Sequence, residues 1–173
     1  MDPLVDTVIE DARWDGFGLP AVAIRAATAT LSHLGLATQG FTLCVMGCDD
    51  AHIATLNADF RGKPTPTNVL SWPSDERSAE FAGEVPDAPE PGPPDDPESL
   101  GDIAIAWETC AAEAMAAHKS MPDHVTHLVV HGVLHLLGYD HEDDIDATLM
   151  ETTEQRILET LGISDPYSQI APQ

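Results

Sequence analysis

The stretch His-Gly-Val-Leu-His-Leu-Leu-Gly-Tyr-Asp-His, residues 131–141, sets three of the chain's eight histidines at spacings of four and six. It closes a longer apolar run, MPDHVTHLVVHGVLHLLG, with Pro122 near its first turn and Gly138 at its end, which predicts a helix over 121–138. Residues four apart on a helix are neighbours, roughly 5–6 Å between Cβ atoms. His131 and His135 therefore project from one face and can reach a single ion at Zn–N bonds of ~2.0–2.1 Å. Gly138 can take a left-handed conformation and reverse the chain, bringing His141 back as a third ligand. Three imidazoles with a fourth position open is the arrangement of a catalytic zinc, whereas structural zinc closes all four. Imidazole suits nickel, copper and iron as well, so the ligands alone do not name the metal.

Taken singly, each of these residues reads as a core or surface histidine of an apolar helix. Three at these spacings around a glycine favour the metal. The spacing H-x-x-x-H-x-x-G-x-x-H is also that of metzincin proteases, but those enzymes need a glutamate directly after the first histidine as general base, and this chain has Gly132 there. A peptidase loses its base while the metal site survives. His124 and His127 lie on much the same helical side as His131, and His127, one turn before it, is placed either to support a ligand or to serve the fold. Asp140 and the acids 142–144 either orient a ligand histidine or cap the next helix.

A second group sits in LNADFRGKPTPTNVLSWP, residues 56–73, which carries Arg61 and Lys63, two of only seven Lys and Arg in the chain. At a helix C-terminus cations are welcomed by the macrodipole, so capping is one reading. The other is a phosphate clamp beside the metal, for which the bidentate fork of Arg61 is well shaped. Asn68 and Ser71 are polar residues in an apolar strand, placed to bond substrate or to satisfy local backbone.

Elsewhere strands and helices are interspersed. VDTVIEDARW reads as a first strand, residues 20–34 as an Ala- and Leu-rich helix, FTLCVMG as a buried strand, and DDAHIATLNADFRG as a helix. PTNVLSWP and GDIAIAW read as strands, followed by the helices ETCAAEAMAAHK, 121–138 and an amphipathic helix that begins near residue 141. The class expected is α+β, close to α/β: one domain over 1–173, with a mixed sheet of about four strands and about five packed helices. Six of the fourteen prolines and nine of the thirty acids fall between Asp75 and Ser99, which predicts a disordered or extended loop whose removal leaves the fold intact.

The formal charge of −23 argues against nucleic acid, whose phosphates need cations, although part of the excess is local to that loop. Three cysteines make no paired framework and fit a reducing compartment; Cys44 and Cys48 read as buried thiols rather than ligands. No apolar run approaches the ~18 residues of a membrane span, and the acidic N-terminus does not read as a signal peptide. A cytoplasmic protein is expected.

HGVLHLLGYDH together with FRGKPTPTNVLSWP, the GDI of 101–103 and a closing DPY at 165–167 resembles the YbeY family of bacterial rRNA-maturation endoribonucleases, over most of the chain from about Thr42 to Tyr167. The resemblance implies a cytoplasmic, metal-dependent endoribonuclease active in 16S rRNA 3′-end maturation and ribosome quality control. By motif, His131, His135 and His141 match that family's ligands for one zinc ion, and Arg61 its functional arginine. The long acidic loop and the KPTPTNV approach to the strand depart from the family pattern. The expected partners are rRNA, the small ribosomal subunit, and ribosomal proteins or assembly factors, with no membrane and no DNA. Zinc would lower the pKa of its water to about 7, so a glutamate base is dispensable, and Arg61, with Lys63, would stabilise phosphoryl charge. Two other readings keep the metal: a ribosome assembly factor with weak nuclease activity, and a zinc hydrolase of another substrate class.

Overall fold

Asp49 opens the first well-capped helix of the molecule, its side chain accepting a hydrogen bond from the His52 amide at 2.8 Å. Similar local signals set most boundaries in this computed structural model, which describes residues 4–77, 79, 81–140 and 143–163. The strands are β1 (Val5–Ile9), β2 (Phe41–Cys48), β3 (Val69–Pro73) and β4 (Glu98–Ala106). The helices are α1 (Arg13–Phe17), α2 (Leu19–His33), α3 (Asp50–Arg61), α4 (Trp107–Ala116), α5 (Met121–Leu136) and α6 (Asp144–Thr160). Ser120 caps α5 by accepting from the Asp123 amide, and Asp143 caps α6 by accepting from the Ile145 amide. The α3 and α4 starts cap one another: Glu108 accepts from the Asp50 amide at 2.9 Å and Asp50 from the Thr109 amide at 3.0 Å.

The sheet runs β1-β2-β4-β3, with β1, β2 and β4 parallel and β3 antiparallel along the β4 edge. This is the mixed four-stranded sheet expected, with six described helices. The additional one is α1, which begins where the first strand was expected to continue through Trp14. Its cause is local: Asp11 accepts from the Arg13 amide at 2.9 Å and pairs with its guanidinium at 2.7 Å, which turns the chain out of the strand. Trp14 is then buried, donating to the Cys48 carbonyl at 2.9 Å and packing edge-on against Trp107.

Two faces of the sheet are unequally covered. Phe41, Leu43, Val45, Ile103 and Ile105 point to the larger core, shared with α2, α5 and α6. Met46, Cys48, Leu70, Ala104 and Ala106 point the other way, toward Ile53 and Leu56 of α3. Strict alternation along β4 would send Leu100 to the α3 side. The register instead skips it, pairing Thr42 with Ser99 and Leu43 with Gly101, so this bulge returns Leu100 to the larger core. Gly101, at φ 137, is required there because a Cβ would collide with the Trp72 carbonyl.

Helix α5 is central, packing against α2, α4, α6, β3 and β4. Val125, Val129, Val133, Leu134 and Leu136 are each 0% exposed, and burying such side chains stabilises by about 1.5–3 kcal/mol apiece. No described helix is long and apolar enough to cross a membrane.

The described residues of the Pro-rich segment form no helix or strand before Glu98, yet they are tied to the body. Arg77 is 7% exposed in its side chain and donates to the carbonyls of Leu136 at 3.1 Å and of Leu100 and Ser99 at 3.3 Å. The Gly83 amide donates to Asp146 at 2.7 Å, and the Gly92 and Glu98 amides both donate to the Gly40 carbonyl at 2.8 Å.

Candidate metal centre

Helix α5 carries His124, His127, His131 and His135, the last three on successive turns of one face. The His131 and His135 rings have centroids 4.8 Å apart, and those of His127 and His131 are 6.4 Å apart. The face follows from the helix period: Val125, Val129 and Val133 take the core side, while His127 and His131 meet α6.

What meets them from α6 is Glu154, 0% exposed. His127 donates from Nε2 to Oε1 and His131 from Nδ1 to Oε2, both at 2.8 Å. Burial pushes the carboxyl up, but the two hydrogen bonds outweigh it and hold the group at about 2, so it is a carboxylate at neutral pH. A parallel arrangement serves His124, whose Nε2 donates to Glu113 at 2.9 Å. That bond is the leading cause of the lowered Glu113 pKa, helped by the Asn68 amide, which donates at 3.0 and 3.3 Å.

Gly132 stands where a metzincin would carry its base. A Cβ there would lie 2.9 Å from Cδ1 of Ile103, because this point of α5 faces the sheet. A carboxylate at 132 would enter the core and not the histidine group.

Of the expected ligands, His131 and His135 are brought together, while His141 lies outside the described residues, as does the DPY of 165–167. Among the described residues no group of three His, Cys, Asp or Glu could hold a metal ion. The donor chemistry of the two imidazoles fits zinc: neighbouring rings on one face, His131 with 21% of its side chain exposed and His135 one turn before a left-handed Gly138 (φ 102). Gly138 has no room for a side chain, since a Cβ would collide with the Arg77 carbonyl.

The second group is divided. Arg61 ends α3 and Lys63 follows Gly62; both are exposed, and α3 packs on the sheet face opposite α5. Between the two faces runs β3, the edge strand. Asn68 spends its amide on Glu113 and accepts the Val69 amide at 2.7 Å. Ser71 pairs with Ile103, the residue beneath Gly132, and so faces α5. Phe60, 63% exposed, packs edge-on against Trp72 at 5.2 Å, next in sequence to Arg61. Cys48 is buried and its thiol pushed up to about 12 by burial, a poor metal ligand.

Sequence reasoning missed Glu154, Glu113 and Arg77. Glu154 alone left a signal: it shares a helical stripe with Met150, Ile157 and Leu158, and a charge on an apolar stripe calls for buried partners.

The family described as Endoribonuclease YbeY matches residues 11–162. An endoribonuclease YbeY of Cereibacter sphaeroides is 64% identical over 167 residues, covering 96% of this chain and 100% of that protein. One from Ruegeria sp. is 57% identical over 164 residues, covering 95% and 96%, and one from Dinoroseobacter shibae is 55% identical over 163 residues, covering 94% and 90%. A Thermotoga maritima protein solved in solution shares the fold with a TM-score of 0.58 at 20% identity, over 95% of this chain and 99% of that one.

Proposed function

The chain belongs to the YbeY family of endoribonucleases and is an endoribonuclease, a hydrolase of RNA; from that premise we propose that it cuts single-stranded RNA at a zinc site of His131, His135 and His141. Its work is 16S rRNA 3′-end maturation and ribosome quality control in the cytoplasm, on small ribosomal subunits with ribosomal proteins or assembly factors as partners. The observation that carries the metal is the adjacency of the His131 and His135 rings, 4.8 Å between centroids, on one turn-to-turn face of α5.

Zinc bound there supplies a Lewis acid and a water with a pKa near 7. The protein does the rest. The helix fixes two imidazoles in register, and Glu154 keeps one ring from turning. Arg61 and Lys63, exposed beyond the edge strand, bind phosphate groups of a strand that passes over β3, next to the phosphate cut at the metal. Ser71, on the α5 side of that strand, completes the path, with Asn68 held at the start of the strand by Glu113 and the Val69 amide. The Phe60–Trp72 pair offers bases an aromatic surface beside those cations, which suits an unpaired strand. At Gly132 there is no room for a general base, consistent with a reaction that draws its nucleophile from the metal.

The test compares the wild type with His135→Ala, both purified without chelators, for bound metal and for cleavage of a single-stranded rRNA 3′-end substrate with and without small subunits. Joint loss of metal and cleavage in the variant supports the reading. A wild type that holds metal yet cuts neither substrate points instead to a metal-binding assembly factor.

A further inference from the structure

Four histidines line one helix, and a metal can be served by only some of them. We propose that Glu154 makes the selection: it is a positioning residue that fixes His131 as a zinc ligand through Nε2 and removes His127 from the ligand set. The inference rests on the zinc reading above.

A carboxylate has acceptors only, so each imidazole nitrogen bonded to it carries the proton. For His131 that nitrogen is Nδ1, which puts the lone pair on Nε2, in a side chain that is 21% exposed. For His127 the bonded nitrogen is Nε2, held against the buried carboxylate. Its lone pair then lies on Nδ1, which is buried. One carboxylate thus leaves the lone pair of one neighbour on Nε2 and that of the other on a buried Nδ1. His124 is sorted in the same way as His127, since its Nε2 is bonded to Glu113 and its Nδ1 is buried. His135 completes the division, its ring centroid 4.8 Å from that of His131 on the next turn.

The placement of Glu154 suits this task. It is 0% exposed, beneath His127 at 14% and His131 at 21% of side-chain exposure, so the carboxylate is the fixed inner end of a group that opens outward. Both oxygens are engaged, one by each ring, which prevents the carboxylate from rotating without breaking a bond. Neighbours that hold a ligand imidazole through its second nitrogen set its tautomer and orientation, and changing them typically weakens metal binding by about 10–100-fold.

The experiment uses the full chain stripped of metal, with zinc affinity read by competition against a chromophoric chelator and folding of the metal-free protein read by urea unfolding. Glu154→Gln is the informative variant, because its uncharged amide keeps the size of the side chain but offers one acceptor and one donor in place of two acceptors, so it cannot hold both imidazoles in the tautomers the carboxylate imposes. It is expected to fold and to bind zinc at least about 10-fold more weakly, and Glu154→Ala more weakly still. His127→Gln is expected to lose much less zinc affinity than His135→Ala. Weakened zinc binding in folded Glu154→Gln, with this ordering of the histidine variants, supports the selection. Unchanged zinc affinity in Glu154→Gln beside a loss of stability would make Glu154 a core residue only and overturn it. So would a His127→Gln loss equal to that of His135→Ala, which would make His127 a ligand. A wild type that binds no zinc would overturn the zinc reading itself, whereas a zinc-binding wild type matched by Glu154→Gln overturns only the selection.

Discussion

Gly132 shows how much one missing side chain says. Restoring the metzincin pattern with Gly132→Glu would drive a carboxylate toward Ile103, and burying an unpaired charge with overpacking is expected to cost at least about 3 kcal/mol in urea unfolding. A gain of peptidase activity in a stable variant would contradict this. Arg61 is the opposite case, exposed at a helix end, so Arg61→Ala is expected to lower turnover on single-stranded RNA while zinc stays bound and the fold is unchanged. Equal activity would remove the clamp. Glu113 carries a pH dependence whose sign follows from its lowered pKa, caused first by the hydrogen bond from His124. Its contribution is complete above the unfolded carboxyl value, about 4.3, and is lost as pH falls through the lower folded value. Unfolding free energies measured between pH 6 and pH 3 should therefore fall less steeply for Glu113→Gln than for the wild type. The pair Arg61 and Lys63 was legible in the sequence because cations are rare in this chain. Glu154 was not identified although it sits on the apolar stripe of Met150, Ile157 and Leu158, because that stripe does not say which residues of a distant helix will meet the carboxylate.

At the level of elements, the helices and strands were legible because the caps and periodicities are local. The exceptions were non-local. The bulge at Leu100 is imposed by pairing with β2 and by a core that needs a leucine on its α5 side. The Pro-rich segment is another. Its composition predicts a stretch that can be removed, yet Arg77 is buried against the last turn of α5 and the start of β4. Two variants separate the parts. Replacing residues 84–96 by a Gly/Ser linker of equal length should leave a cooperative unfolding transition with a modest drop in Tm. Arg77→Ala, which leaves three carbonyls without a buried donor, should cost about 2–3 kcal/mol. If the two costs were reversed, the anchor would lie in the proline tract instead. Because Arg77 also meets the turn at Gly138, its loss should disturb the proposed zinc site as well as the fold, and zinc affinity in the same variant reads that directly.

Across the whole molecule, the charge of −23 is the property that RNA binding must overcome. Arg61, Lys63 and the proposed zinc can hold a few phosphates, so affinity for free rRNA is expected to be weak, with a shallow dependence on salt. Small ribosomal subunits, which bring basic protein surfaces, are expected to bind more tightly in a sedimentation assay; equal affinity for naked rRNA would count against delivery by protein partners. The sequence by itself determined the fold class, the course of most helices and strands, and the pairing of His131 with His135, because caps, periodicity and an i, i+4 spacing act over one or two turns of chain. Only the tertiary structure decided that Gly132 faces the sheet, that Arg61 and the histidines lie on opposite faces joined by an edge strand, and that one buried carboxylate from α6 holds two of the four α5 histidines. Those relations join residues far apart in sequence, and they exist only once burial has brought the elements together.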